Sequence, residues 1–442
     1  MRHLHAPVSL TSGSIFRLLA TLPAIALLLS SSPILQAEEN NDGPEASSPF
    51  PRIARLGSIP DWSQLDPYQH TITREEFTYL LHHCYARKAA DEYRDIIRIE
   101  SDRALILKQS NHPAAGWYDL RFRVDSGISA EPPKFWRSPA ELDRIPANST
   151  RPLDDICIAI DPGHIGGRWV TWDDRHFTIG KDTLEVREGE MTLMVARILE
   201  RDLSLLGATV ILTRTDTHPV TTERIDTLQE EARLYLQRRK QIPSASAIAS
   251  TAKKMFAISS EIRSRGDLLN ESIQPDLALC LHFNASPWTS RRPSFRSPNH
   301  LHLLVNGCYS RGEIEEDDTR LEMLLRILQR VYYEELNLAD AMSRTMETET
   351  RLPAFAYNGV SGMSVNDNEL VWARNLLANR VFLCPVVFFE PYCMNHKEIH
   401  ARVQAGQYDG LREINGIYRK NIYQEYADGI TAGLVNYFRR MR

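Results

Sequence analysis

The sequence lacks a basic excess. Its 442 residues carry 52 Lys and Arg against 57 Asp and Glu, a formal charge of −5. No stretch forms the basic stripe that nucleic-acid binding requires, so no nucleic-acid partner is expected. Paired cysteines are missing too. The six cysteines are far apart, with no Cys-x-x-Cys pair to build a structural zinc knuckle. Cys157, Cys280, Cys308 and Cys384 lie in or beside apolar, strand-like runs, where a free thiol behaves as a small hydrophobe. There is no internal repeat. The acidic run at 313–318 lacks the Asp-x-Asp-x-Asp-Gly spacing of a calcium loop and reads as a solvated loop. What is present is ordinary globular composition, 43% hydrophobic and 25% charged, in a chain long enough for more than one domain.

The first residues stand apart. Arg2 and Arg17 precede an apolar run over 18–29, followed by Ser30-Ser31-Ser32-Pro33, Leu35-Gln36-Ala37 and the acidic Glu38-Glu39. A basic start, an apolar core of about a dozen residues and a small residue before a polar stretch make residues 1–37 a secretory signal peptide. The alternative is an uncleaved anchor, but so short a run does not cross a bilayer comfortably. The expected location is therefore secreted, periplasmic or cell-wall associated, with no stable membrane span after cleavage. No cysteine directly follows Ala37, which argues against a lipid anchor there.

Residues 38–59, rich in Asn, Glu, Ser and Pro near their start, read as a linker. Residues 60–125 read as a small α+β module. In it, Thr73-Arg74-Glu75-Glu76 is a capping box opening a helix, and strands are expected at 96–99, 104–107 and 118–122. A second linker covers 126–152. From 153 to 442 the pattern is α/β: strands at 156–160, 208–212, 277–281, 302–305 and 385–389 alternate with helices at 191–206, 321–348 (one long or two abutting), 369–377 and 423–440. The fold class expected is a mostly parallel sheet flanked by helices, preceded by the small module. Residues 217–274 are long, polar and helical, with helices at 221–241 and 252–270.

Four side chains sit at strand ends or a helix start: His164 after the first strand, Glu188 ahead of the first long helix, His282 after 277–281 and Glu390 after 385–389. In open α/β sheets the chemistry lies beyond the carboxyl ends of the strands. Two imidazoles and one carboxylate on zinc, with a fourth position left to water, make the open site of a hydrolase, and the spare carboxylate serves as base. Glu185 and Glu190 compete with Glu188 for the ligand position. His302 reads as a surface or core histidine, with a second-layer role as the alternative, since it leaves a strand near the site. Arg380 is either a substrate-carboxylate fork or a structural salt bridge, and the sequence does not rank the two.

Asp161-Pro162-Gly163-His164, Glu188 five residues before Leu193, Leu212-Thr213-Arg214, Cys280-Leu281-His282-Phe283-Asn284-Ala285 and Val386-Val387-Phe388-Phe389-Glu390 closely resemble the zinc-dependent N-acetylmuramoyl-L-alanine amidases. The resemblance spans roughly residue 156 to the end. It implies a phosphorylase/hydrolase-like amidase domain with Zn2+ on His164, Glu188 and His282, Glu390 as catalytic base, and Asn284 beside the substrate. The activity it implies is hydrolysis of the amide between N-acetylmuramic acid and L-alanine in peptidoglycan.

The chain departs from the family pattern at Ile165, where Gly is usual, at Cys280, where Ser is common, and at Pro391-Tyr392, where Gly-Phe is common. Glu261-Ile262-Arg263-Ser264-Arg265 and Asn270 resemble the family's Arg-and-Asn helix, which leaves residues 217–259 as an insertion. That insertion and residues 312–334 suggest a lid or a docking surface for a regulatory protein. Two other readings remain: a zinc peptidase acting on stem peptides, and a non-catalytic wall-binding protein of the same fold.

Overall fold

The computed structural model describes residues 60–89, 92–124, 131–238, 240–288, 292–357 and 361–442. The expected signal peptide and first linker lie outside the described residues. Helix α1 (Arg74–Tyr79) starts where expected, with the Thr73 hydroxyl accepting from the Glu76 amide. Strands β1 (Ile97–Ile99), β2 (Arg103–Leu107) and β3 (Trp117–Arg121) form an antiparallel sheet in that order.

The larger part begins with β4 (Cys157–Pro162), the short pair β5 (His176–Phe177) and β6 (Val186–Arg187), helix α2 (Glu188–Leu205) and β7 (Thr209–Leu212). Next come α3 (Gln229–Arg238), α4 (Ala245–Lys254), α5 (Glu261–Asp267) and β8 (Leu277–Leu281). Strand β9 (Leu303–Val305) precedes α6 (Arg311–Glu315), α7 (Asp317–Leu328) and α8 (Val331–Thr350). The chain closes with β10 (Met363–Ser364), β11 (Val371–Ala373), α9 (Leu377–Val381), β12 (Val386–Phe389), α10 (Lys397–Ala405), the hairpin β13 (Arg412–Ile414) and β14 (Ile417–Arg419), and α11 (Ile422–Met441).

The main sheet has the order β10-β11-β9-β12-β8-β4-β7. β7, β4, β8 and β12 run parallel, while β9 is antiparallel to β12. Purely apolar strands such as Leu277–Leu281 belong in this position, because helices cover both faces and leave no polar side. The carboxyl ends of β4, β8 and β12 and the start of β9 therefore share one edge.

Several expectations are corrected. Residues 369–377 are not a helix: Val371-Trp372-Ala373 pairs parallel with β9, and only Leu377–Val381 is helical. An apolar run this short satisfies either period, and a free strand edge decided it. The first helix of the insertion is Gln229–Arg238 rather than 221–241, since Pro243 breaks the run and the Ser244 hydroxyl caps the next helix, which continues unbroken from Ala245 to Ile273 and covers the expected 252–270. Of the two readings of 321–348, one long helix or two abutting ones, the second holds, the break falling where Arg330 adopts φ +57°.

The acidic run at 313–318 is no solvated loop. Asp318 is buried against Arg263, and the Glu313 carboxylate caps Ser310. Residues 312–334 are likewise no lid, because α7 is buried along nearly its whole length, packed against the small module and against α8 and α9. Its Arg320, fully buried, donates to the Leu107 carbonyl (2.7 Å) and to Ser110 (3.0 Å) in the module. Gln329 reaches the Tyr68 hydroxyl at 2.8 Å and Arg330 meets Glu76 at 2.7 Å.

Residues 131–152 form a packed strap. Arg137 holds Asp276 through two parallel bonds of 3.0 and 2.8 Å, and Asp276 also accepts from the Cys157 amide. That ties the starts of β4 and β8 together. All six cysteines are free thiols, and no helix among the described residues is long and apolar enough to cross a membrane.

Fully buried Arg326 and Glu335 form an ion pair, and Glu335 also accepts from the Val386 amide at 2.9 Å, fixing the start of β12. Glu335→Ala leaves a bare guanidinium in the core, which costs about 3–5 kcal/mol. Urea denaturation of the variant beside the parent protein measures that loss.

Candidate metal centre

The site is assembled by backbone register. Gly163 donates to the Leu281 carbonyl (2.9 Å), His282 to Phe389 (3.1 Å) and Glu390 to His302 (3.0 Å). These bonds set Gly163, His282, Glu390 and His302 side by side across the sheet end, where neighbouring residues present side chains to the same face. Gly163 has to be glycine. A Cβ there would lie 2.3 Å from His282 Cε1 and 2.6 Å from the Leu281 carbonyl oxygen.

His164 follows with φ +61°, an uncommon conformation for a residue with a side chain. Two buried arginines grip the turn. Arg265 binds Asp161 (3.1 Å), the Pro162 carbonyl (2.9 Å) and the His164 carbonyl (2.9 Å), while Arg214 binds the carbonyls of Pro162 (3.0 Å) and Gly189 (2.5 Å). On its other side, Ile165 and Trp169 pack in one apolar cluster with Leu228, Tyr235, Leu236 and Phe256 of the helical insertion. Glu261 links the two layers: it pairs with Arg265 at 2.7 Å and accepts from the Val220 and Thr221 amides.

Glu188, at the first position of α2, is the carboxylate that converges. Its Oε1 lies 3.3 Å from His164 Nε2 and 3.1 Å from His282 Nδ1. The competitors are engaged elsewhere. Glu185 holds His176 and Arg187, and Glu190 holds Arg187 and the Gly167 amide. His164, Glu188 and His282 form a group able to hold a metal ion.

The fit can be checked by distance. Donors about 2.0–2.1 Å from a tetrahedral ion sit roughly 3.3 Å apart, close to both separations. In addition, Glu188 Oε2 is buried with no hydrogen-bond partner, an oxygen that a cation would satisfy. Asp173 Oδ2 lies 3.0 Å from His164 Nδ1 and is buried. That bond leaves Nε2 bare for a metal, the usual carboxylate–imidazole arrangement. His282 is stacked on Phe388, with ring centres 4.2 Å apart.

The electrostatics favour a cation. Burial pulls the His164 imidazolium down, but Glu188 and Asp173 outweigh it and raise the pKa to about 9. Burial works against ionised Glu188, yet His164 and His282 hold its carboxyl well below the usual range. His282 is lowered to about 4, chiefly by burial. Glu390 is raised to about 7 by burial and then by the Glu188 charge, with Arg175, Arg374 and His164 opposing. A carboxyl held there can both take and release a proton near neutrality.

The remaining expected residues have partners of their own. Asn284 follows His282, but its Oδ1 accepts from the next amide, Ala285, at 2.7 Å. Arg380 is a structural ion-pair residue rather than a substrate fork. It is buried, with Nε on Glu322 (2.6 Å) and Nη1 on Asn375 (2.8 Å). His302 bonds the Tyr357 hydroxyl at 3.1 Å. Asp173, Arg175, Tyr357 and Arg374 went unnoticed in the sequence, since none belongs to a periodic element or a recognisable motif.

No family model matches the chain, and no curated protein matches it. Solved structures do. Amidases are among them. One is the CwlD amidase from Clostridioides difficile, solved in complex with the GerS lipoprotein: 12% identical, TM-score 0.36, covering 64% of this chain and 98% of that one. Another is the N-acetylmuramyl-L-alanine amidase Ami1 from Mycobacterium abscessus, 15% identical, TM-score 0.35, covering 64% and 99%. A third is the catalytic domain of CwlV, an N-acetylmuramoyl-L-alanine amidase from Bacillus (Paenibacillus) polymyxa, 14% identical, TM-score 0.34, covering 64% and 97%.

If Asp173 orients His164, Asp173→Ala lowers zinc affinity about 10–100-fold while the fold persists. Chelator competition measures it, with His164→Ala and His282→Ala as the metal-free references.

Proposed function

We propose that the protein is an exported zinc hydrolase that cleaves the amide between N-acetylmuramic acid and L-alanine in peptidoglycan. The observation that carries the reading is the convergence of His164, Glu188 and His282 at a sheet edge that also presents Glu390. The ordered motifs around these residues, which resemble those of zinc-dependent peptidoglycan amidases, supply the substrate. His164, Glu188 and His282 hold the metal, and imidazole with carboxylate ligation suits zinc among common divalent ions. When bound, zinc lowers the pKa of a coordinated water and polarises the scissile carbonyl.

The chain's own residues supply the rest. Asp173 keeps His164 in the required tautomer, and Phe388 keeps the His282 ring in its plane. Glu390 takes a proton from the attacking water and returns it to the departing amine of L-alanine, a role suited to a carboxyl whose pKa burial raises toward 7. Asn284, beside His282, faces the substrate in this reading. The helical insertion is the place for a regulatory protein to act, because it packs on the turn that carries His164.

The same machinery would serve a peptidase, and a protein that only binds the wall would leave muropeptides intact. Mass analysis of digested muropeptides separates the three: free stem peptides support the amidase, shortened peptides the peptidase, and no change the binder. Glu390→Gln should keep its zinc and lose about 10²–10⁴-fold in turnover. Retained activity in that variant would remove Glu390 from the mechanism.

A further inference from the structure

Two arginines flank the Glu390 end of the sheet without a carboxylate partner among the described residues. Arg175 comes from the loop that carries Asp173. Its amide donates to Asp173 Oδ1 at 3.2 Å and its carbonyl accepts from the Glu188 amide at 3.1 Å, so its backbone lies against both residues that organise the metal site. Arg374 comes from the opposite side, directly after β11. Its amide donates to Val305 at 3.0 Å, and it alternates onto the same sheet face as Trp372, which is level with Leu304 and through it with Phe388.

The Arg374 guanidinium lies over the Tyr357 ring, 5.8 Å from its centre, with Nη1 3.4 Å from the Tyr357 hydroxyl. That hydroxyl is 3.1 Å from His302 Nε2, and His302 is the residue beside Glu390 in the register. Both arginines are half-buried, and both act on the Glu390 carboxylate.

The contrast with other arginines of the large domain is chemical. Arg265, Arg263, Arg326, Arg380 and Arg402 are each matched by a buried carboxylate, and buried Arg214, which has none, is taken up by backbone carbonyls. Two part-buried guanidiniums left without one, on either side of a reacting centre, suit an anion that arrives with the substrate.

We propose that Arg175 and Arg374, the latter positioned by Tyr357 and His302, clamp a substrate carboxylate on the peptide side of the scissile amide, making the protein selective for acidic over neutral peptides. This rests on the hydrolase reading above and adds the residues that would choose the peptide.

The test uses binding, so that recognition is read apart from turnover. In full-length, zinc-loaded Glu390→Gln protein, calorimetry compares N-acetylmuramoyl-L-alanine with its neutral carboxamide. The acid is expected to bind at least tenfold more tightly. Adding Arg374→Gln or Arg175→Gln should shrink that preference with zinc content unchanged, and Arg374→Lys should restore part of it. Equal affinities, or a preference that survives both substitutions, would overturn the clamp while leaving the hydrolase reading intact. Zinc lost together with the preference would also overturn it, by assigning the arginines to the metal scaffold. Failure of both compounds to bind the Glu390→Gln parent would overturn the peptidoglycan reading itself.

Discussion

The backbone ladder at one edge of the main sheet is the constraint on which the rest depends. Three amide-to-carbonyl bonds, from Gly163, His282 and Glu390, bring residues far apart in sequence onto one level. Because the strands are only about 4.8 Å apart, side chains on that level meet without any long reach. The proposed chemistry then needs only that His164 turn back over this row and that Glu188 rise to it from the first turn of its helix. The absent side chain at Gly163 is the steric condition for that crowding.

Holding an imidazole in a left-handed turn is uphill, and the interior shows how the cost is met. Arg214 and Arg265 bring buried cations beneath the turn, where they bond carbonyls that no strand partner satisfies. A buried guanidinium is itself costly unless matched. Asp161 and Glu261 match Arg265, and Glu261 carries the network outward to the amides that open the insertion. The turn that carries His164 is thus gripped from below by polar bonds and from outside by apolar packing of Ile165 and Trp169.

Much of this was legible in the sequence because each key residue ends a short apolar strand. His164, His282 and Glu390 follow runs too short for helices, and Glu188 opens a strongly periodic one. The misreadings share a different cause. Asp318 has a partner supplied from elsewhere in the chain, as does Arg380, whose two readings the sequence left open, and a charge looks solvated in sequence until its partner is found. Residues 369–377 contain an apolar stretch that fits either period, and their pairing with β9 is a tertiary outcome. Asp173 lies in an irregular loop with no period at all, although it touches the metal-site histidine.

The docking of the small module has a consequence for how the chain folds. Arg320 is buried in the large domain, yet it finds acceptors at Leu107 and Ser110 of the module, and Asp276 depends on Arg137 of the strap. A chain cut at residue 153 would remove these partners and open to water the surfaces they cover, so the two sheets depend on each other. Denaturant should meet a single cooperative transition that takes both sheets at once.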